Sequence, residues 1–179
     1  DKNIWVVDVR SEKDFKEGHL PHAINLMEKG KFETWLGSMI KPGEKFYLAG
    51  ESKEQLQRVI ERTSAIGYET AIAGAFAING GSSKEEEIDL DLFKNHLSDY
   101  TIVDVRNTSE VKEKAIFPNS LHIPLAEVRE RVAEIPTGKP IVVHCAGGYR
   151  SAAASSLVHA EINGKTPVFD LSESIKQFQ

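Results

Sequence analysis

The sequence predicts an α/β protein of two domains, each a parallel sheet with helices on both faces. Three observations carry this. Runs of apolar, β-branched residues alternate with helical stretches, the order that builds a parallel sheet. The whole pattern occurs twice, at a domain-sized spacing. Between the two runs lies Asn79-Gly80-Gly81-Ser82-Ser83-Lys84-Glu85-Glu86-Glu87, flexible and charged in composition. The expected division is a first domain over residues 1–80, a linker over 81–87 and a second domain over 88–179.

Each copy opens on a strand, Trp5-Val6-Val7-Asp8-Val9-Arg10 in the first and Thr101-Ile102-Val103-Asp104-Val105-Arg106 in the second. A polar helical stretch follows, residues 11–17 and 107–114. Leu20-Pro21-His22-Ala23-Ile24-Asn25-Leu26 then matches Phe117-Pro118-Asn119-Ser120-Leu121-His122-Ile123. The next strand spans residues 43–50 in one copy and 138–145 in the other. Helices are expected over 52–65 and 151–160, and closing strands around 70–73 and 167–171. A short helix over 89–97 should open the second copy.

Chemistry concentrates at the end of the third strand of the second copy. Val142-Val143-His144-Cys145 is followed by Ala146-Gly147-Gly148-Tyr149-Arg150-Ser151. A buried strand here enters a tight glycine loop and then a helix rich in alanine. The sole cysteine thus heads a loop that feeds a helix N-terminus, where the dipole and converging N–H groups favour an anion. A single cysteine is most often a small buried hydrophobe. A purely structural one needs neither two glycines nor an arginine after it.

Composition bounds the rest. The chain has 179 residues, a net charge of −5 and 40% hydrophobic residues, as an ordinary globular protein does. The acidic balance argues against a nucleic-acid partner or a membrane surface. No run is long enough to span a bilayer and no signal peptide is present, so a cytoplasmic location is expected. One cysteine excludes an internal disulfide framework and a cysteine-rich zinc site. The start at Asp1-Lys2-Asn3-Ile4, almost directly in a strand, fits a segment of something longer.

The two copies differ where chemistry would occur. The first has Gly50 in place of Cys145, followed by Glu51-Ser52-Lys53-Glu54-Gln55, with two acids and no matching arginine. Those carboxylates would compete with an anionic substrate for the helix N–H groups. The first copy should therefore fold but be inactive.

The paired Asp-Val-Arg strands, the Leu20-to-Asn25 segment and the Cys145-to-Ser151 loop together resemble a tandem of rhodanese domains. The likeness covers nearly the whole chain. Gly30-Lys31-Phe32-Glu33-Thr34-Trp35-Leu36-Gly37, with the inactive-then-active order, resembles a narrower subgroup. These are the C-terminal halves of proteins that fuse a metallo-β-lactamase-fold persulfide dioxygenase to two rhodanese domains. The resemblance implies two rhodanese-like domains and a sulfurtransferase. Cys145 would take sulfane sulfur from thiosulfate or a persulfide and pass it to a thiol or cyanide. The N–H groups of Ala146, Gly147, Gly148, Tyr149, Arg150 and Ser151 would cradle the terminal sulfur. Sulfur exchange of this kind requires no metal or organic cofactor. The expected partners are small donors and acceptors, and an upstream metallo-β-lactamase-fold domain if the narrower likeness holds.

The remaining residues admit two readings each. Arg150 either orients an anionic donor or pairs inside the domain, with Asp104 the expected partner. Arg106 and Glu110, one helical step apart, are expected as a scaffold ion pair, repeated by Arg10 and Asp14. His144 lies on the opposite face from the nucleophile and is expected to be structural. Tyr149 should flank the pocket mouth. Two departures from the family pattern bear on donor choice: Ala115-Ile116-Phe117-Pro118 replaces the Gly-His-Ile-Pro type kept at Gly18-His19-Leu20-Pro21, and Asp170-Leu171-Ser172-Glu173-Ser174 lacks a glycine pair. Related-fold phosphatases and arsenate reductases have one more residue between cysteine and arginine, so the shorter loop favours a single sulfur over an oxyanion. The alternative function is a non-catalytic interaction or regulatory module.

Overall fold

A computed structural model describes residues 4–179; residues 1–3, where the expected first domain begins, lie outside the described residues. The chain divides into two compact units, Asp1–Glu85 and Glu86–Gln179.

In the first unit, β1 (Trp5–Asp8), α1 (Glu12–Glu17), β2 (Ala23–Asn25), α2 (Phe32–Met39), β3 (Phe46–Gly50), α3 (Lys53–Ser64) and β4 (Ile72–Ala77) follow in order. Every strand pairing is parallel, in the sheet order β2-β1-β3-β4. The central β1 is buried throughout, as its Trp-Val-Val core demands. Ser11 caps α1 by accepting the Asp14 N–H, and Ser52 caps α3 by accepting the Gln55 N–H. Leu56, Val59 and Thr63 form the buried stripe of α3, while its other faces are polar. The closing strand runs to Ala77, four residues beyond expectation, because Ala75 and Phe76 continue the pairing with Leu48 and Ala49.

The second unit adds α4 (Leu90–Asn95) before the same plan: β5 (Thr101–Asp104), α5 (Thr108–Glu113), β6 (Leu121–His122), α6 (Leu125–Arg131), β7 (Ile141–His144), α7 (Tyr149–Ile162) and β8 (Val168–Asp170). The sheet order β6-β5-β7-β8 repeats that of the first unit, again all parallel. The α4 helix buries Phe93 edge-on against Tyr100, Phe117 and Phe178, at ring separations of 5.1, 5.8 and 5.6 Å. α7 is buried on nearly every face because Ser151 to Ser156 are all small. Ser155 and Ser156 satisfy their hydroxyls on the carbonyls of Ala152 and Ala153.

The stretch expected as linker is partly tied to the first unit. His19 and Ser83 exchange two backbone hydrogen bonds of 2.9 and 3.0 Å, and the Glu85 N–H reaches Lys16 O at 3.1 Å. The approach is close because Gly81 has no side chain: a Cβ there would sit 2.0 Å from His19 O.

Gly81→Ala should therefore destabilise the first unit by roughly 2–4 kcal/mol, through forced backbone displacement. Both tryptophans of the chain, Trp5 and Trp35, lie in this unit, so urea unfolding followed by tryptophan fluorescence reads it selectively. An unchanged midpoint would mean that residues 79–83 can swing away without loss.

Candidate functional site

The site is built where β7 ends. Paired on both sides, by β5 and β8, this strand delivers Cys145 to the C-terminal edge of the sheet. Only Ala146, Gly147 and Gly148 separate the cysteine from α7, which begins at Tyr149, two residues before the expected start. Tyr149 and Arg150 thus belong to the first turn of the helix. Gly148 takes φ +105°, a conformation that a side chain would strain. This twist aims its N–H at Cys145 Sγ, 3.1 Å away. Sγ is also 3.6 Å from Ser151 Oγ, whose hydroxyl donates to Gly148 O at 3.0 Å. A hydroxyl that can rotate serves a thiol as acceptor and a thiolate as donor.

Cys145 is itself only 1% exposed, whereas Ala146 and Gly147 lie at the surface above it. Behind the loop stands the segment after β8. A Cβ on Gly148 would come within 3.2–3.3 Å of Ser172 and the Glu173 N–H. Ser172 adopts φ +49°, a left-handed conformation that glycine would hold at lower cost. The Gln179 side chain donates to Ala146 O at 2.9 Å.

The ion pairs differ from the expected ones. Arg106 turns back along its own strand and forks Asp104 at 2.6–3.1 Å, with its backbone N–H on the same carboxylate at 3.0 Å. It does not take Glu110 as its hydrogen-bond partner. Arg10 likewise forks Asp8, at 2.7–3.2 Å, while Asp14 accepts from the Ser11 hydroxyl. The reason is backbone geometry: the chain leaves the sheet directly after each aspartate, so the guanidinium folds over the strand end before the helix begins. Burial, the largest single influence, pushes the Asp104 carboxyl up, but the Arg106 hydrogen bonds together with the His144 and Arg106 charges outweigh it and hold the group below the ordinary carboxylate range.

Arg150 pairs inside the domain, and its partner is Glu110, not Asp104. Both of its terminal nitrogens meet the Glu110 carboxylate, at 2.5 and 2.8 Å. Glu110 Oε2 also accepts the Asn107 N–H at 3.0 Å, which fixes the carboxylate at the start of α5. The Arg150 fork holds the Glu110 pKa down to about 2, against the opposing effect of partial burial. Sequence spacing could not reveal this pair, because its members are 40 positions apart.

His144 faces away from the loop, as strand alternation requires. It is fully buried beside the Phe117 ring, with Asp104 Oδ2 at 3.7 Å, and neither ring nitrogen has a hydrogen-bond partner. In the first unit the place of the thiol is filled: a Cβ on Gly50 would meet Gln55 Oε1 at 2.8 Å and Leu56 at 3.0 Å. Beside it lies a cleft of about 390 Å³ lined by Arg10, Asp14, Glu17 and Glu51 among others. Among the described residues, no group of three or more His, Cys, Asp or Glu side chains is arranged to hold a metal ion. No described helix is long and apolar enough to cross a membrane.

Burial pushes His144 down to a pKa of about 4, partly opposed by the Asp104 charge. Between pH 6.5 and 4 the unfolded chain therefore binds the proton that the folded chain refuses, and stability drops as the pH is lowered through that window. From pH 7 to 5 the second unit should lose about 2 kcal/mol by this route. Hydrogen exchange of the β7 amides reads it, and His144→Phe should flatten the dependence. An equal slope in the variant would assign the loss to other groups.

The Rhodanese-like domain family matches twice, over residues 1–84 and 89–179. A candidate sulfur carrier protein of Bacillus subtilis, YrkF, is 32% identical over 148 residues, covering 80% of this chain and 72% of that protein. A sulfurtransferase of Allochromatium vinosum is 29% identical over 82 residues, 44% of this chain and 76% of its own length. A solved rhodanese-related protein of Thermoplasma volcanium is 29% identical with a TM-score of 0.43, covering 52% of this chain and 89% of that one. The chain belongs to the rhodanese-like domain family, and carries two copies of the domain.

Proposed function

We propose that the second unit is a sulfurtransferase that carries sulfane sulfur as a persulfide on Cys145. The observation that carries this reading is the Gly148 N–H on Sγ, 3.1 Å away, in a three-residue loop at the start of a buried helix. Family membership supports it, as do relatives named for sulfur carriage and sulfur transfer. In the loading step the Cys145 thiolate attacks the outer sulfur of a donor. The Sγ–S bond forms, the donor's S–S bond breaks, and the donor leaves with the electron pair as sulfite or a thiolate. A thiol or cyanide then attacks the outer sulfur and regenerates the thiolate, which gives double-displacement kinetics.

In this reading the outer sulfur extends about 2 Å beyond Sγ. Loop amides from Ala146 to Ser151 hold it, and Tyr149 and Arg150 border the approach. Asp104 and Arg106 support the loop through the strand end they lock. The first unit, with Gly50 and Gln55 where the thiol would be, is a non-catalytic companion. Likeness to the persulfide dioxygenase fusions adds an upstream metallo-β-lactamase-fold domain as its natural partner. The cytoplasm, where acceptor thiols stay reduced, suits the chemistry.

Intact-protein mass after incubation with thiosulfate or an organic persulfide tests the proposal. The natural protein should gain one sulfur atom and lose it to cyanide as thiocyanate, and Cys145→Ser should gain none. A folded natural protein that stays unmodified by every sulfane donor would leave the interaction-module reading in its place.

A further inference from the structure

The first unit has lost its thiol but not its cleft. Arg10, Glu51 and Ile78 line the 390 Å³ space, each just past the end of its strand, β1, β3 and β4. The carboxyl ends of parallel strands are where α/β sheets hold ligands. The volume lies in the small-molecule range of roughly 300–1,000 Å³.

Two observations say what the cleft would hold. The first is Arg10, whose side chain is 3% exposed. Its Nε and Nη2 are taken by Asp8 and Gly18 O. Among the described residues Nη1 donates to no protein acceptor, although the side chain lines the cleft. A buried donor left without an acceptor is costly, and a ligand oxygen would relieve it.

The second comes from the other copy. Asp14 stands four residues after Arg10, as Glu110 does after Arg106. Glu110 is met by Arg150, the second residue of α7. The second residue of α3 is Glu54, so the first unit carries an acid where its twin carries that cation. Asp14 accepts only from Ser11, by its hydroxyl and as the cap of α1. Glu51 has no cation at ion-pair distance among the described residues. Glu17 has only Lys13, 3.9 Å away with both side chains exposed, a pairing of little worth.

We propose that this cleft binds a small cation of the basic amino-acid class. Its guanidinium or ammonium group lies beside Asp14, as Arg150 lies beside Glu110, and Glu17 and Glu51 add to the attraction. Its carboxylate accepts from Arg10 Nη1. The first unit is then a recognition domain, independent of sulfur carriage on Cys145.

The probe is L-arginine at millimolar concentration, added to the full chain at matched ionic strength. A ligand of the folded first unit raises its urea midpoint. Tryptophan fluorescence reads that midpoint, because Trp5 and Trp35 both lie in this unit. L-arginine should raise it and acetate should not. Agmatine, which is arginine without the carboxylate, should raise it less despite its greater net charge, since it leaves Arg10 unmet. In calorimetric titration, Glu51→Gln and Asp14→Asn should each weaken arginine binding by on the order of tenfold. Their midpoints without ligand report whether the unit is folded. Cys145→Ser should bind as the natural protein does. No shift with arginine in the natural protein, affinities unchanged in both folded acid variants, or binding lost with Cys145→Ser would overturn the site. Agmatine binding as tightly as arginine would overturn the amino-acid class.

Discussion

Each unit is organised around a buried aspartate–arginine fork at the end of its central strand. Asp8 and Asp104 are fully buried, and Arg10 and Arg106 are 3% and 5% exposed. Each arginine also donates to a carbonyl at the far end of the following helix, Gly18 O at 2.8 Å or Lys114 O at 3.1 Å. The fork therefore ties the strand end to both ends of that helix. From the second strand, Asn25 in one unit and His122 in the other hydrogen-bond the arginine carbonyl. A buried ion pair is a weak source of net stability, but removing one partner strands a charge and costs roughly 3–5 kcal/mol. What the fork supplies is geometry. It sets where α5 starts, hence where Glu110 stands, hence which way Arg150 is held.

Above this shared frame the two units diverge. In the second, β7 ends in a cysteine and a loop short enough for its third residue to turn back onto the sulfur. In the first, Gln55 fills that space, donating to Val9 O and accepting the Glu51 N–H. The divergence extends to the sheet face on which His144 lies. In the second unit Phe93, Phe117 and Ile175 seal Val142 and Leu171. At the matching positions in the first, Tyr47 and Phe76 are only half-buried, their rings tilted 6.1 Å apart. A duplicated frame thus tolerates different cores as long as the fork and the strand register are kept.

How much of this could be read from the sequence depends on the range of each interaction. The repeat, the strands and the cysteine loop were legible because alternation, glycines and alanines act within a few residues. α2 and α6 gave weaker signals and were not assigned. The ion pairs were misread for a definite reason. Helical spacing pointed from Arg106 to Glu110, but Arg106 leaves the strand before the helix starts and finds Asp104 two residues back. That frees Glu110 for Arg150, a partner brought near by the sheet and not by spacing. The loop residues Ala146 to Ser151 were expected as a group, yet nothing in the sequence singled out Gly148 N–H, because its aim depends on a left-handed φ set by tertiary packing.

That packing explains how a short loop can hold an anion without a moving part. α7 lies close against β7 and β8 because its inward residues are small, so the helix start cannot drift from the strand end. Gly148 is pressed from behind by Ser172 and Glu173, and any side chain there would push the loop forward. Ser151, fully buried, donates to the Gly148 carbonyl and so anchors the Gly148–Tyr149 peptide, the one that follows the peptide whose N–H meets the sulfur. The cysteine sulfur thus faces the Gly148 amide already oriented, an arrangement that spares reorganisation when negative charge develops beside such a donor. With Ser172 and Glu173 behind Gly148, the side of the loop that lies open is that of Ala146 and Gly147.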